Sequence, residues 1–194
     1  MNTPSHAIIN LAIFSHLPLP QANLAILFGS ILPDLPIFGF YVWAKYLRQM
    51  PSTEIWSDTY FQPGWQNLFH SFHSFPLIFI GWLISYVCGW QIAQVIFISA
   101  FLHCVFDFPV HNDDAHRHFF PLTDYRFISP ISYWDSKHYG AIGALIELIC
   151  VLCSTLRIFP IVESWVAKGL LLSVNGFYVS IYVYFYLRAK LWFS

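Results

Sequence analysis

Residues 102–111 read LHCVFDFPVH, an apolar stretch that carries His103, Asp107 and His111 at intervals of four. On an α-helix, side chains four residues apart lie on one face, so these groups are expected to converge. Ionisable side chains on an apolar helix are costly to bury without partners, and imidazole with carboxylate is a typical ligand set for zinc and similar ions. The stretch therefore predicts a helix that contributes to a metal site. The alternative is a hydrogen-bonded polar pair that only holds helices together.

The composition is that of a membrane protein. Of the 194 residues, 57% are hydrophobic and only 10% are charged, whereas roughly 25% are charged in an ordinary soluble domain. The apolar residues form long blocks, several of which approach the roughly 20 residues that span a bilayer. We therefore predict an all-α fold, in which residues 1–194 form a single polytopic membrane bundle of about six helical segments. The net charge is −1 and no basic stripe occurs, which argues against nucleic acid as a partner.

Prolines divide the amino-terminal part of the chain into two short apolar helices, at about 6–17 and 22–32. We expect them to form a short first hairpin, which either crosses the bilayer or re-enters from one side. His6 and Asp34 each lie fourteen residues from Pro20, so a turn there would bring both to the same end. This distance predicts that the imidazole and the carboxylate share one ion.

A second hairpin is predicted at Gly89. His73 lies sixteen residues before this glycine and His103 fourteen after it, so both would reach the same membrane face. His70 and Asp107 lie about one helical turn away. The two hairpins together predict six metal ligands: His6, Asp34, His70, His73, His103 and Asp107.

Two polar stretches, at about 44–66 and 110–139, are predicted to be cytoplasmic loops. With a cytoplasmic carboxyl terminus and four preceding spans, seven of the nine Lys and Arg residues would be cytoplasmic, and only Arg157 and Lys168 would lie outside. The positive-inside rule therefore places the predicted metal site on the cytoplasmic side.

The loop at 110–139 is rich in groups that handle protons. Hydrolysis by a metal-activated water also needs a proton acceptor, and His111, Asp114 and His116 are the candidates for that catalytic role. Pro109 separates His111 from the helix and favours a place for it in the loop, beside the metal ligands rather than among them. The alternative is an ordinary solvated loop.

The four cysteines all fall in or at the ends of apolar segments. Cys150 and Cys153 are three residues apart, but no second pair completes a thiolate metal site. We expect them to be small residues at helix contacts.

Several short motifs along the first two thirds of the chain resemble the YdjM-like family of bacterial inner-membrane proteins, which are classed as metal-dependent hydrolases. The resemblance implies a multi-helix membrane protein with a histidine and aspartate metal centre. This sequence has Pro36 where the family usually has a second aspartate. The matching motifs are Ser5-His6, Gly29-x-x-x-Pro33-Asp34, His73-Ser74, His103-x-x-x-Asp107 and Pro121.

Together these features favour a membrane-embedded hydrolase with one or two divalent ions, zinc being preferred. Its expected substrate is an ester or phosphoester that is lipid-like or delivered by the membrane. This substrate is a hydrophobic or phosphorylated small molecule, and the expected partner of the protein is membrane lipid. Two alternatives remain open. In the first, the same groups line a path in a transporter or metal-handling protein; in the second, they only bind helices together in a structural membrane protein.

Overall fold

The computed structural model describes residues 1–15, 17 and 21–188. Helices make up 72% of the structure and no strand occurs among the described residues, so the all-α prediction is confirmed. The α-helices are, in chain order, α1 (Thr3–Phe14), α2 (Ala22–Ile31), α3 (Leu35–Val42), α4 (Ser52–Ser57), α5 (Pro63–Phe72), α6 (Phe75–Val87), α7 (Gln91–Asp107), α8 (Gly140–Ile158) and α9 (Trp165–Tyr182).

Three helical segments are long and apolar enough to cross a membrane: Ala22–Leu47, Gly140–Ile158 and Trp165–Leu187. Helices α5 and α6 pass the same test together, although the chain bends by 47° between them, and α7 is a shorter apolar helix. The described residues therefore contain three candidate spans, or four if the bent pair forms one. A bundle of about six membrane segments is not confirmed.

The first hairpin differs from the sequence prediction. Its second limb does not end near residue 32 but continues through a 3₁₀ turn (Leu32–Asp34), α3 and a π-helical turn (Trp43–Leu47). Pro33 and Pro36 each lie in the first positions of a helical element, where a missing N–H costs little. Pro18 and Pro20, where the turn is predicted, lie outside the described residues.

The stretch 44–66, predicted as a loop, is largely helical. It contains the end of the long segment, α4, a 3₁₀ turn (Thr59–Phe61) and the start of α5. Its prolines begin helices rather than prevent them, since Pro51 caps α4 and Pro63 opens α5. Burial of Ile55 with Phe40 and Phe69 holds this stretch against α3 and α5.

The stretch 110–139 is irregular apart from a 3₁₀ turn (Ser136–His138), as predicted. Backbone hydrogen bonds fold it back onto the end of α7: the N–H of Ser129 donates to the carbonyl of His111, and that of Tyr133 donates to Val110. The N–H of Phe75, at the start of α6, donates to the carbonyl of His118. The loop is thereby held over the end of α7 that carries Asp107.

Helices α1, α2 and α7 approach closely along a row of small and polar residues. A Cβ added at Gly29 would lie 2.3 Å from the carbonyl oxygen of Ile96, so only glycine permits this contact of α2 with α7. Ser99 donates to the carbonyl of Ile26 at 2.7 Å, and the amide of Asn10 donates to the Ser99 carbonyl at 2.8 Å. Small residues and interhelical hydrogen bonds of this kind hold membrane helices together.

Candidate metal centre

Two buried histidines are oriented by backbone carbonyl groups. Nδ1 of His103 lies 2.7 Å from the carbonyl oxygen of Ser30, and Nδ1 of His73 lies 3.0 Å from that of Phe69. A carbonyl only accepts, so each Nδ1 carries a proton, and in the neutral form of such a ring the lone pair is on Nε2. Both Nε2 atoms are buried and make no hydrogen bond. This arrangement, with one ring nitrogen bound to a carbonyl and the other free, is typical of metal-binding histidines.

Two carboxylates face these free nitrogens. Oδ2 of Asp107 lies 3.0 Å from Nε2 of His103 and 3.9 Å from Nε2 of His73. Oδ1 of Asp34 lies 3.6 Å and 3.5 Å from the same two atoms. All four ligand atoms lie within 4.8 Å of one another. Tetrahedral ligands at zinc bond lengths would be about 3.3 Å apart, so the four atoms are spaced for one ion.

Asp34 reaches the site because of the broken helix. It ends the 3₁₀ turn between α2 and α3, and its Oδ2 accepts a hydrogen bond from the hydroxyl of Thr3 at 2.5 Å. Its Oδ1 is thereby directed towards the histidines. Asp34 therefore lies beside His73 and His103, with which the sequence predicts it to converge.

His6 lies beside these four residues. Its ring stacks on that of His103 with the centroids 3.7 Å apart, and its Nε2 lies 3.0 Å from Oδ1 of Asp107. His6 therefore lies beside the predicted metal ligands, as expected. It contacts Oδ1 of Asp107, whereas the distances of His73 and His103 to Asp107 are to Oδ2.

His70 does not join the predicted cluster. Its Nδ1 accepts the backbone N–H of Arg117 at 3.3 Å, and its Nε2 lies 3.3 Å from the guanidinium of Arg126. Helix α5 ends at Phe72, and His73 takes a non-helical backbone conformation as its C-cap. The two side chains therefore diverge, and spacing on an ideal helix does not predict this.

The three loop residues predicted to handle protons all border the site. Nε2 of His111 lies 3.3 Å from Oδ1 of Asp107, and its Nδ1 lies 2.9 Å from Oδ2 of Asp114. Burial opposes protonation of His111, but the two carboxylates outweigh it and raise its pKa to about 9. The nitrogen of Met1 also lies 2.5 Å from Oδ1 of Asp107 and 3.3 Å from Nε2 of His111.

His116 differs from His111 in its surroundings. Its ring stacks on His73 at 3.8 Å and lies 5.5 Å from that of His70. Burial and then the neighbouring imidazoles hold the pKa of His116 well below its usual range. His116 is therefore neutral near pH 7.

A cavity of about 510 Å³ opens onto the site. Its walls include the carboxylates of Asp34 and Asp107 and the ring of His116. Aromatic side chains, among them Trp56 and Tyr60, form a further part of the wall. The site can therefore be reached by a molecule with a polar group and an apolar body.

A second buried carboxylate, that of Glu147 in α8, lies outside this group of residues. The structure identifies its partners as Ser5 at 2.5 Å, the backbone N–H of Asn2 at 2.8 Å and, at 3.4 Å, the hydroxyl of Tyr178. Ser5 and His6 are adjacent in the sequence, yet Ser5 contacts Glu147 and His6 contacts Asp107. Adjacent residues on a helix face different directions and so can serve different sites.

Comparisons with models of protein families, with curated proteins and with solved structures find no match. The resemblance to the YdjM-like family stays a prediction. The arguments for a function therefore come from the geometry of the site. That geometry shows a buried group of two imidazoles and two carboxylates that could hold a metal ion.

Proposed function

We propose that this protein is a membrane-embedded, metal-dependent hydrolase whose metal ion is bound by Asp34, His73, His103 and Asp107. The observation that carries the proposal is the pair of free, buried Nε2 atoms directed at two carboxylates. A lone pair that faces a carboxylate oxygen is repelled by it, and a cation between the two removes the repulsion. Zinc is our preferred ion because it takes imidazole and carboxylate in tetrahedral sites.

A bound divalent ion would lower the pKa of a water molecule to about 7 and so supply hydroxide near neutral pH. Asp34 and Asp107 both line the cavity, so a water at the ion would face a substrate there. His116 is our candidate for the proton acceptor. It borders the same cavity and is neutral, whereas His111 and Asp114 contact each other.

We propose a lipid-like or membrane-delivered ester or phosphoester as the substrate. The three candidate spans support a membrane protein, and the cavity combines carboxylates with aromatic side chains. For the location we propose a bacterial inner membrane with the site on the cytoplasmic side. The charge bias supports this side, although Lys190 and the side chain of Arg188, which contribute to it, lie outside the described residues.

Elemental analysis of detergent-purified protein tests the metal centre. We expect at least one equivalent of zinc in the wild type and less than about 0.1 equivalent after His73→Ala or His103→Ala. His138→Ala is the matched control, because among the described residues the half-exposed His138 side chain hydrogen-bonds only to Asp135 in its own turn. A wild-type protein without metal, prepared without chelators, would contradict the proposal.

Hydrolysis assays distinguish an enzyme from a transporter or a metal-handling protein. With aryl phosphate and aryl ester substrates in detergent, we expect His103→Ala to lose more than about 100-fold in kcat/KM. A protein that binds metal but hydrolyses neither substrate class would favour the metal-handling alternative. Full metal content and activity in both ligand variants would favour a purely structural role for the histidines.

A further inference from the structure

The two oxygens of Asp107 face different sets of partners. Oδ2 lies nearest to His103, in the group of four described above, whereas Oδ1 lies 3.0 Å from Nε2 of His6 and 3.3 Å from Nε2 of His111. These distances match the separation of about 3.3 Å expected between ligands of one tetrahedral ion. The carboxylate therefore has a set of imidazole nitrogens on each side.

The stacked rings of His6 and His103 show the spacing between the imidazoles at Oδ1 and those at Oδ2 of Asp107. Their centroids are 3.7 Å apart and their planes differ by 21°, and each ring directs its Nε2 to a different oxygen of Asp107. In two-metal hydrolytic sites the ions are about 3.5–4 Å apart. The spacing of the two rings fits two ions bridged by a single carboxylate.

The surroundings of His111 are those of a metal-binding histidine. Nδ1 lies 2.9 Å from Oδ2 of Asp114, while Nε2 is directed at Asp107. A carboxylate behind a histidine, on the side away from the ion, is a common way to orient a metal-binding imidazole. Asp114 would then position His111, and neither residue would be the general base.

We propose that a second divalent cation binds to His6, His111 and Oδ1 of Asp107, so that Asp107 bridges two ions. The second ion would displace the nitrogen of Met1, which now lies against the same two atoms. This inference rests on the proposed function, since the first ion is the one held by Asp34, His73 and His103. It also changes the role of His111 from proton acceptor to ligand.

A two-ion site favours phosphoesters among the proposed substrates, because it supplies positive charge in an acidic cavity. Among the described residues that line the cavity, Asp34, Asp107, Asp113 and Asp114 are acidic and none is lysine or arginine. An anionic phosphoryl group would be repelled by these carboxylates unless metal ions supplied positive charge. Two bridged ions supply it and can stabilise both the attacking and the leaving oxygen.

Metal stoichiometry tests the second ion. Apo-protein would be loaded with zinc, freed of excess ion and analysed. We expect two equivalents in the wild type and in His138→Ala, but one in His111→Ala and in His111→Gln, which keeps a polar side chain in case alanine perturbs the loop. One equivalent in the wild type would overturn the second ion and leave the first one standing. No metal at all would overturn both.

A spectroscopic measurement tests whether Asp107 bridges two ions, and it needs no activity assay. Electron paramagnetic resonance of protein loaded with two equivalents of Mn²⁺ should show an exchange-coupled signal, because one carboxylate joins the ions. His111→Gln should show only the signal of an isolated ion. An isolated-ion spectrum in the wild type at full loading would contradict the bridging role of Asp107.

Discussion

Asp107 and Glu147 are two carboxylates at nearly equal depth, with 2% and 3% of their surface exposed, yet their surroundings differ. Four imidazoles lie within 4 Å of the Asp107 carboxylate, whereas Glu147 is met by an amide, a serine hydroxyl and a tyrosine hydroxyl. Hydroxyl and amide donors satisfy a carboxylate fully by hydrogen bonding. The free Nε2 atoms of His73 and His103 donate no hydrogen bond to Asp107, so a cation would satisfy the carboxylate on that side. The type of partner, rather than the depth of burial, distinguishes the candidate metal site from a structural polar contact.

The largest expected effect is a loss of bound metal on removing the charge of Asp107. Asp107→Asn replaces a carboxylate oxygen with an amide group, a poor zinc ligand, so metal content should fall below about 0.1 equivalent. Glu147→Gln is the matched control and should keep the full metal content. Elemental analysis of both variants is the measurement. If Glu147→Gln lost its metal as Asp107→Asn does, the contrast between the two carboxylates would be false.

The same control variant should lose stability. In Glu147→Gln the acceptor of the Asn2 and Ser5 hydrogen bonds loses its charge, and the new amide N–H₂ group would face the side-chain N–H₂ of Asn2, at a cost of about 2–3 kcal/mol. Reversible denaturation in mixed micelles would measure the loss. A variant as stable as the wild type would show that Glu147 does not hold α1 to α8.

A smaller loss is expected from Ser5→Ala, which removes one donor to Glu147 and leaves the others in place. We expect about 1–2 kcal/mol with metal content unchanged. Ser173→Ala is the control, since this exposed hydroxyl donates only to the carbonyl of Gly169 in its own helix. Equal stabilities of the two variants would mean that the Ser5 contact contributes nothing.

The smallest effect should come from the cysteines. Cys150 and Cys153 are both exposed in the structure. Their joint replacement by alanine should change stability by less than about 0.5 kcal/mol and leave the metal content unchanged. Loss of metal in this double variant would show that a ligand lies outside the Asp107 region. The contrast between Asp107 and Glu147 would then not identify the metal site.

Composition and spacing were sufficient to predict the helical class, the apolar spans and the convergence of Asp34, His73, His103 and Asp107. These depend on helical periodicity and on hairpin lengths, which are local properties. The orientation of His70 was not predictable, because it depends on where α5 ends. The partners of Glu147 lie more than 30 residues away in the chain, so no local pattern identifies them.

The contact at Gly29 implies that the affinity of the proposed metal site depends on a residue that provides no ligand. Gly29 lets α2 lie against α7, and the next residue, Ser30, provides the carbonyl that orients His103. A single methyl group at position 29 would widen the distance between the two backbones and tilt the imidazole. Natural sequence variation at helix contacts of this kind could therefore adjust a metal centre gradually, while every coordinating side chain stayed the same.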